Sequence, residues 1–148
     1  MKSLNYIISD EGIGVIEFHD ATNILKKNHY DYIYHEHIFY FTITSLTRIL
    51  KKFGMHTFDY FKSPISGGSY VILFKKKKVA FSKNLKKRIE IEKKNKVESV
   101  SEWKSLEHKC KNHKEHLLKI LSKNVDNNNI IGYGASARSS TLLNYLKL

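Results

Sequence analysis

The stretch from Phe41 to Phe74 limits the possible folds most sharply, because its hydrophobic period changes from helical to alternating within a few residues. Over Phe41 to Gly54, the side chains Leu46, Ile49, Leu50 and Phe53 fall on one helical face, Thr44 is placed to cap the start, and Gly54 ends the segment. From Met55 to Phe61 the pattern alternates as a strand does. Pro64 to Gly68 reads as a loop, and Ser69 to Phe74 is a second run of β-formers. An amphipathic helix followed by two antiparallel strands is predicted, which places the chain in a mixed α/β class.

The flanks extend this pattern. Gly12 to Phe18 reads as a short buried strand entered through Asp10-Glu11-Gly12, with Leu4 to Ser9 as the end of a helix before it. Asp20 or Thr22 caps a short helical segment through Lys27, and Asn28 to Asp31 forms a loop. The Lys75 to Lys78 run is expected to be a solvated edge that discourages strand-to-strand association. From Ser82 to Lys123 the chain is strongly helical; Ser99 or Ser101 starts a second helix that turns Trp103, Leu106, Cys110, Leu117 and Leu121 inward. Asp126 to Asn129 is a loop, Ile130 to Tyr133 a strand, and Ala135 to Leu146 a helix. A lone strand followed by one helix cannot bury both its faces and is ordinarily the opening unit of a larger α/β layer. The chain therefore reads as truncated at its end, and the single core strand near its start predicts further parallel strands upstream of Met1.

Charge and composition narrow the function classes. With 148 residues, 41% of them hydrophobic, the chain is long enough for one ordinary domain or parts of two. No segment approaches the run of about 18 apolar residues that a membrane span needs, and a cytoplasmic location with no membrane partner is expected. Cys110 is the only cysteine, so neither an internal disulfide nor a multi-cysteine zinc site is available within the chain. The net charge of +12 raises nucleic acid as a partner. However, only three of the 26 basic residues are Arg, leaving few bidentate phosphate forks, and specific nucleic-acid binding is not expected.

The chemistry concentrates between Tyr30 and Phe41. Tyr34-His35-Glu36-His37 sets two imidazoles, a carboxylate and a phenol side by side, with more aromatic residues flanking them. Such a cluster is compatible with an aromatic core edge or with two zinc ligands on one strand face. An extended strand would put His35 and His37 on one face with Glu36 opposite, whereas a helical turn would put Tyr34 and His37 on one side. Spacing alone leaves these alternatives open. Near the end, Gly132-x-Gly134-x-x-Ala137 matches a relaxed dinucleotide fingerprint, but the acidic residue expected roughly 20 positions later would fall beyond Leu148. A structural turn before a helix N-terminus accounts for it better.

Two ordered motifs carry a resemblance. Tyr34-His35-Glu36-His37-Ile38-Phe39-Tyr40-Phe41, followed by Ser66-Gly67-Gly68-Ser69, resembles the sugar C-methyltransferases, including deoxysugar C-3 methyltransferases, whose members carry Tyr-x-Glu-His-Phe-x-x-Phe and then His-Gly-Gly-Ser. About a hundred residues after the first, Gly132-Tyr133-Gly134-Ala135-Ser136-Ala137-Arg138-Ser139-Ser140-Thr141-Leu142-Leu143-Asn144-Tyr145 is similar to that family's GYGAPAKGNTLLNY. Ser66 stands where the family commonly has His, Ser136 replaces Pro, Arg138 replaces Lys, and Ser139-Ser140 replaces Gly-Asn.

The resemblance implies an S-adenosylmethionine-dependent enzyme in which His37 is the general base that removes a proton beside a ketone of a nucleotide-linked sugar, with Tyr34 and Glu36 as supporting groups. An imidazole with an ordinary pKa near 6.5 suits that task at neutral pH. Tyr34 would hydrogen-bond the developing enolate or a sugar oxygen, and Glu36 would support the imidazole. Substrate contacts are implied at Gly67, Gly68, Gly134 and Arg138, and His35 is read as structural. The same resemblance implies the late part of a Rossmann-like methyltransferase domain over residues 1–80, a helical connector over 81–125, and the first strand-helix unit of a second Rossmann-like domain over 126–148. The family's zinc-binding domain and its S-adenosylmethionine loop would lie upstream of Met1, so cofactor-binding residues are not assigned, no metal site is expected in this chain, and the chain alone is expected to be inactive. The competing class is a non-catalytic remnant or binding module for a nucleotide sugar or a protein partner.

Overall fold

The computed structural model describes residues 1–65, 68–125 and 130–148; the expected loop at 126–129 and the Ser66-Gly67 pair lie outside the described residues. In chain order the elements are α1 (Lys2–Ile7), β1 (Gly14–His19), α2 (Ala21–Lys27), a 3-10 turn (Tyr30–Tyr32), α3 (Ile43–Lys52), β2 (His56–Ser63), β3 (Ser69–Lys75), α4 (Lys83–Lys94), α5 (Val100–Val125) and α6 (Ala137–Leu146). They group into two units. Met1–Asn23 joins Tyr40–Glu98 in the first, and Ile24–Phe39 joins Ser99–Leu148 in the second.

The first unit is built on a three-stranded sheet of order β1-β3-β2. As expected, β2 and β3 pair antiparallel, from His56 opposite Lys75 to Ser63 opposite Ser69. β1 also pairs antiparallel with β3, from Gly14 opposite Phe74 to His19 opposite Ser69. The strand near the start was legible, but it is not the buried strand expected, since Phe18 alone in it is buried while Ile13 and Val15 are exposed, and its partner is an antiparallel neighbour supplied by this chain, not a parallel one. An extended run specifies a pleat and a face; which edge it joins is decided by tertiary packing. β3 is consequently central, so Lys75 to Lys78 leave the middle strand and protect no edge. Lys76 instead reaches Asp10, and Lys77 reaches Glu11.

The core of this unit joins Phe18, Tyr70, Ile72 and Phe74 of the sheet to Ile43, Leu46 and Leu50 of α3, with Met55 and Leu85 completing it. Gly14 is required by that packing, because a Cβ there would lie 2.2 Å from the buried Phe74 ring. α3 is capped two residues earlier than expected. Thr42 Oγ1 accepts the Ser45 N–H at 3.0 Å, and Ser45 Oγ accepts the Thr42 N–H at 2.9 Å, a reciprocal box. β2 carries a bulge between Thr57 and Asp59. Beside that bulge, the Phe58 carbonyl accepts the Ser82 N–H at 2.7 Å, and Ser82 Oγ donates to Asp59 at 2.6 Å while also accepting the Leu85 N–H. The irregularity thus fixes the point where α4 begins.

α4 contributes a buried ionic network. Glu92, 1% exposed, accepts from the first backbone N–H groups of α3, Ile43 at 3.2 Å and Thr44 at 2.8 Å, and from Thr44 Oγ1 at 2.6 Å. Arg88 lies 3.2 Å from Glu92 and 3.1 Å from Asp20, donates to Thr22 Oγ1 at 2.8 Å, and covers the Tyr70 ring at 4.8 Å. Asp20 in turn accepts from the Thr22 backbone N–H and hydroxyl. Thr44, expected as a cap, has its hydroxyl committed to Glu92.

The second unit is helical. α5 follows Ser99, whose hydroxyl is bonded to Ser101 Oγ at 2.6 Å. Leu106 and Cys110 are buried along it, and Cys110 Sγ lies 3.5 Å from Asn28 Oδ1. Burial holds the Cys110 thiol above its ordinary pKa. Residues 130–136 form no strand, in contrast to the strand expected over Ile130 to Tyr133. Ile131 and Tyr133 are almost fully exposed, and no strand among the described residues pairs with them. β-formers without a ladder partner leave the backbone to water. α6 begins as a capped helix, Ser136 Oγ accepting the Ser139 N–H at 3.2 Å. No helix among the described residues is long and apolar enough to cross a membrane.

Candidate functional site

The Tyr34-His35-Glu36-His37 segment is a turn, which selects the second of the two geometries that spacing left open. The His37 N–H donates to the Tyr34 carbonyl at 3.0 Å, bringing the two side chains to one side. Their rings meet edge to face at 4.8 Å between centroids. His35 approaches Tyr34 at 6.2 Å but is exposed, as is Glu36, while Tyr34 and His37 are half-buried. A partly covered imidazole against a phenol, with a carboxylate one residue away, is a suitable set for moving a proton to or from an organic substrate. Among the described residues, no group of three or more His, Cys, Asp or Glu side chains is placed to hold a metal ion.

The turn is anchored by its own unit. Directly before it, the 3-10 turn Tyr30–Tyr32 buries both tyrosines. The Tyr30 hydroxyl is hydrogen-bonded to His113 Nδ1 of α5 at 2.8 Å, and its ring lies 5.0 Å from that of Tyr145 of α6. Burial pushes the Tyr30 hydroxyl up to about 12, with Cys110, Tyr145 and Asp31 adding to the effect. Tyr30 is therefore a neutral phenol in the physiological range. His29 stacks on Tyr32 at 5.4 Å. Its pKa is depressed by burial first, with Arg138 and Lys27 reinforcing the effect and Asp31 opposing it.

Of the four expected substrate contacts, Gly67 lies outside the described residues. Gly68 has φ +115°, and its carbonyl accepts from Asn23 Nδ2 at 3.1 Å within the first unit. Gly134 has φ +125°, a conformation that L side chains rarely adopt, and stands in open space before α6. Arg138 is committed to a protein partner: Nε and Nη2 both donate to Asp31 Oδ2, at 2.7 and 2.6 Å, and the guanidinium lies 3.9 Å over the Tyr32 ring. Sequence reasoning had absorbed Asp31 into a loop and left His113 unremarked in a helix. Arg138 itself carried the signal, as one of three Arg in a Lys-rich chain.

The C-methyltransferase C-terminal domain family model matches residues 64–148. A curated relative, "C-methyltransferase NovU" of Streptomyces niveus, is 28% identical over 72 residues, which is 49% of this chain and 17% of the relative. The chain thus covers only a small part of that relative's length. Since the family match takes in more than half of the chain and includes α6 with its Gly132-Tyr133-Gly134 approach, the chain belongs to the C-methyltransferase family.

Proposed function

We propose that this chain carries the proton-abstraction segment of an S-adenosylmethionine-dependent C-methyltransferase acting on a nucleotide-linked keto sugar, with His37 as the general base. The observation that supports this most directly is the turn in which His37 and Tyr34 meet at 4.8 Å in a chain of this family. Hydrogens on a carbon beside a ketone are the acidic ones on such a sugar, and an imidazole can take one at neutral pH. The Tyr34 hydroxyl, held on the same side, donates to the enolate oxygen as charge builds there. Glu36 is exposed in the same turn, and its carboxylate stabilises the imidazolium that results.

S-adenosylmethionine supplies an electrophilic sulfonium methyl group for the carbon so activated. Gly12 and Gly14 precede or open β1 instead of following a strand, and Gly132 and Gly134 follow no strand among the described residues. The proposal therefore assigns this chain the base and its helpers, with residues 1–80 as the late part of a Rossmann-like methyltransferase domain and 126–148 as the opening of a second domain. Gly67, Gly68 and Gly134 remain proposed backbone contacts for the substrate.

Deuterium uptake from solvent at the carbon beside the ketone, measured in a family enzyme carrying this segment, tests the base. His37→Ala is expected to slow uptake by about 10²- to 10⁴-fold, the usual contribution of a positioned base. Unchanged uptake would remove His37 from that role and leave the binding-module reading.

A further inference from the structure

We propose that Arg138 is a positioning residue for the Tyr34–His37 turn, acting through Asp31, and is not a ligand of the substrate. The proposal rests on the reading of His37 as the base, but its geometry stands independently. Arg138 is the second residue of α6, and Asp31 lies 107 positions earlier, in the 3-10 turn. The guanidinium uses two kinds of contact there. Its Nε and Nη2 donors converge on Asp31 Oδ2 at 2.7 and 2.6 Å, and its flat face lies 3.9 Å over Tyr32. An Arg meets both requirements at once, whereas a Lys ammonium lacks the planar fork.

The constraint passes to the candidate base through the backbone. The Tyr34 N–H donates to the Tyr32 carbonyl at 3.2 Å, and the Tyr34 carbonyl accepts the His37 N–H at 3.0 Å. Fixing Asp31 and Tyr32 therefore fixes the start of the turn whose end is His37. At the other end of the 3-10 turn, Tyr30 is held by His113 and Tyr145. The segment is thus secured on both sides, and Arg138 supplies the only ion pair that Asp31 makes among the described residues. A substrate anion recruited by Arg138 would have to compete with a carboxylate already in contact with it.

Nuclear magnetic resonance on the full 148-residue chain tests this without reference to activity. Arg138→Gln, and separately the milder Asp31→Asn, are expected to remove the cross-relaxation peaks between the Tyr34 and His37 rings and to speed hydrogen exchange at the His37 amide. The Ile72 and Phe74 amides of the first unit should be unchanged. The paired exchange Asp31→Arg with Arg138→Asp should restore the ring contacts in part. Persistence of the Tyr34–His37 peaks in both single variants would overturn the proposal. Should Arg138→Gln fail to fold, Asp31→Asn alone decides the matter by the same peaks. Loss of the peaks combined with normal deuterium uptake in His37→Ala would leave the positioning role standing and remove the catalytic one.

Discussion

Glu92→Gln is expected to destabilise the first unit severely, although the change alters one atom. Every partner of the Glu92 carboxylate is a donor: Oε1 faces the Ile43 N–H and Arg88 Nε, and Oε2 faces the Thr44 N–H and hydroxyl. Whichever way a glutamine amide is turned, its NH₂ group points at two donors. Because the site is 1% exposed, water does not replace the lost acceptor. Removing one partner of a buried ion pair costs about 3–5 kcal/mol, a large share of a domain's typical 5–15 kcal/mol or so. With a urea slope of about 2 kcal/mol per M, the unfolding midpoint falls by roughly 2 M. The fully buried Ile72 and Phe74 report it through their amide signals during a urea titration. A midpoint drop below about 0.5 M at unchanged slope would match an exposed pair of about 0–1 kcal/mol and would refute the claim that the network is buried and coupled. Replacing Arg88 and Glu92 together by Met is not expected to recover stability, since Asp20 would lose its cation and the α3 N–H groups their acceptor.

Two further outcomes are expected. Gly14→Ala places a methyl group into the Phe74 ring and should cost about 1–3 kcal/mol by overpacking, visible as a lowered midpoint of the same amide signals; an unchanged midpoint would mean that Phe74 yields freely. In alkali, Tyr30 and Tyr70 should ionise last, both pushed up to about 12 chiefly by burial. Because their folded values exceed the ordinary 10, their contribution to stability is full below pH 10 and is lost between pH 10 and 12. Absorbance titration of tyrosinate against the Tyr30→Phe and Tyr70→Phe variants checks this, and early titration of both phenols would contradict their burial.

How far the sequence discloses these features depends on whether a feature is local. The face of α3 is local, and Leu46 and Leu50 are fully buried as their spacing requires. The β2 and β3 runs are local too, and a short loop makes their pairing nearly inevitable. The neighbour of β1 is not local, since a strand's pattern says which face is buried and nothing about which edge is filled. The cap of α3 was missed by two residues because Thr42 and Thr44 are equivalent as residue types; Ser45 reciprocates with the first while Glu92 occupies the second. Arg88 and Glu92 went unremarked within the helical stretch from Ser82 to Lys123. The available clue was an Arg four residues before a Glu, the residue type preferred for buried pairs.

The candidate site divides along the same line. Tyr34, His35, Glu36 and His37 stood out together by residue type, and the resemblance alone gave Tyr34, Glu36 and His37 their roles; spacing left strand and turn open, and the His37 N–H bond to Tyr34 makes the segment a turn. Arg138 was singled out by its motif and given a substrate role. Its contact with Asp31, 107 residues away in sequence, is a long-range pairing that no motif encodes.

His37 is proposed to serve a C-methyltransferase as its base. This role is tested most directly by methyl transfer from S-adenosylmethionine to a nucleotide-linked keto sugar, measured in a family enzyme carrying this segment with and without His37→Ala. Transfer is expected to be abolished in the variant while S-adenosylmethionine binding is retained. Turnover at the unmodified enzyme's rate would contradict it.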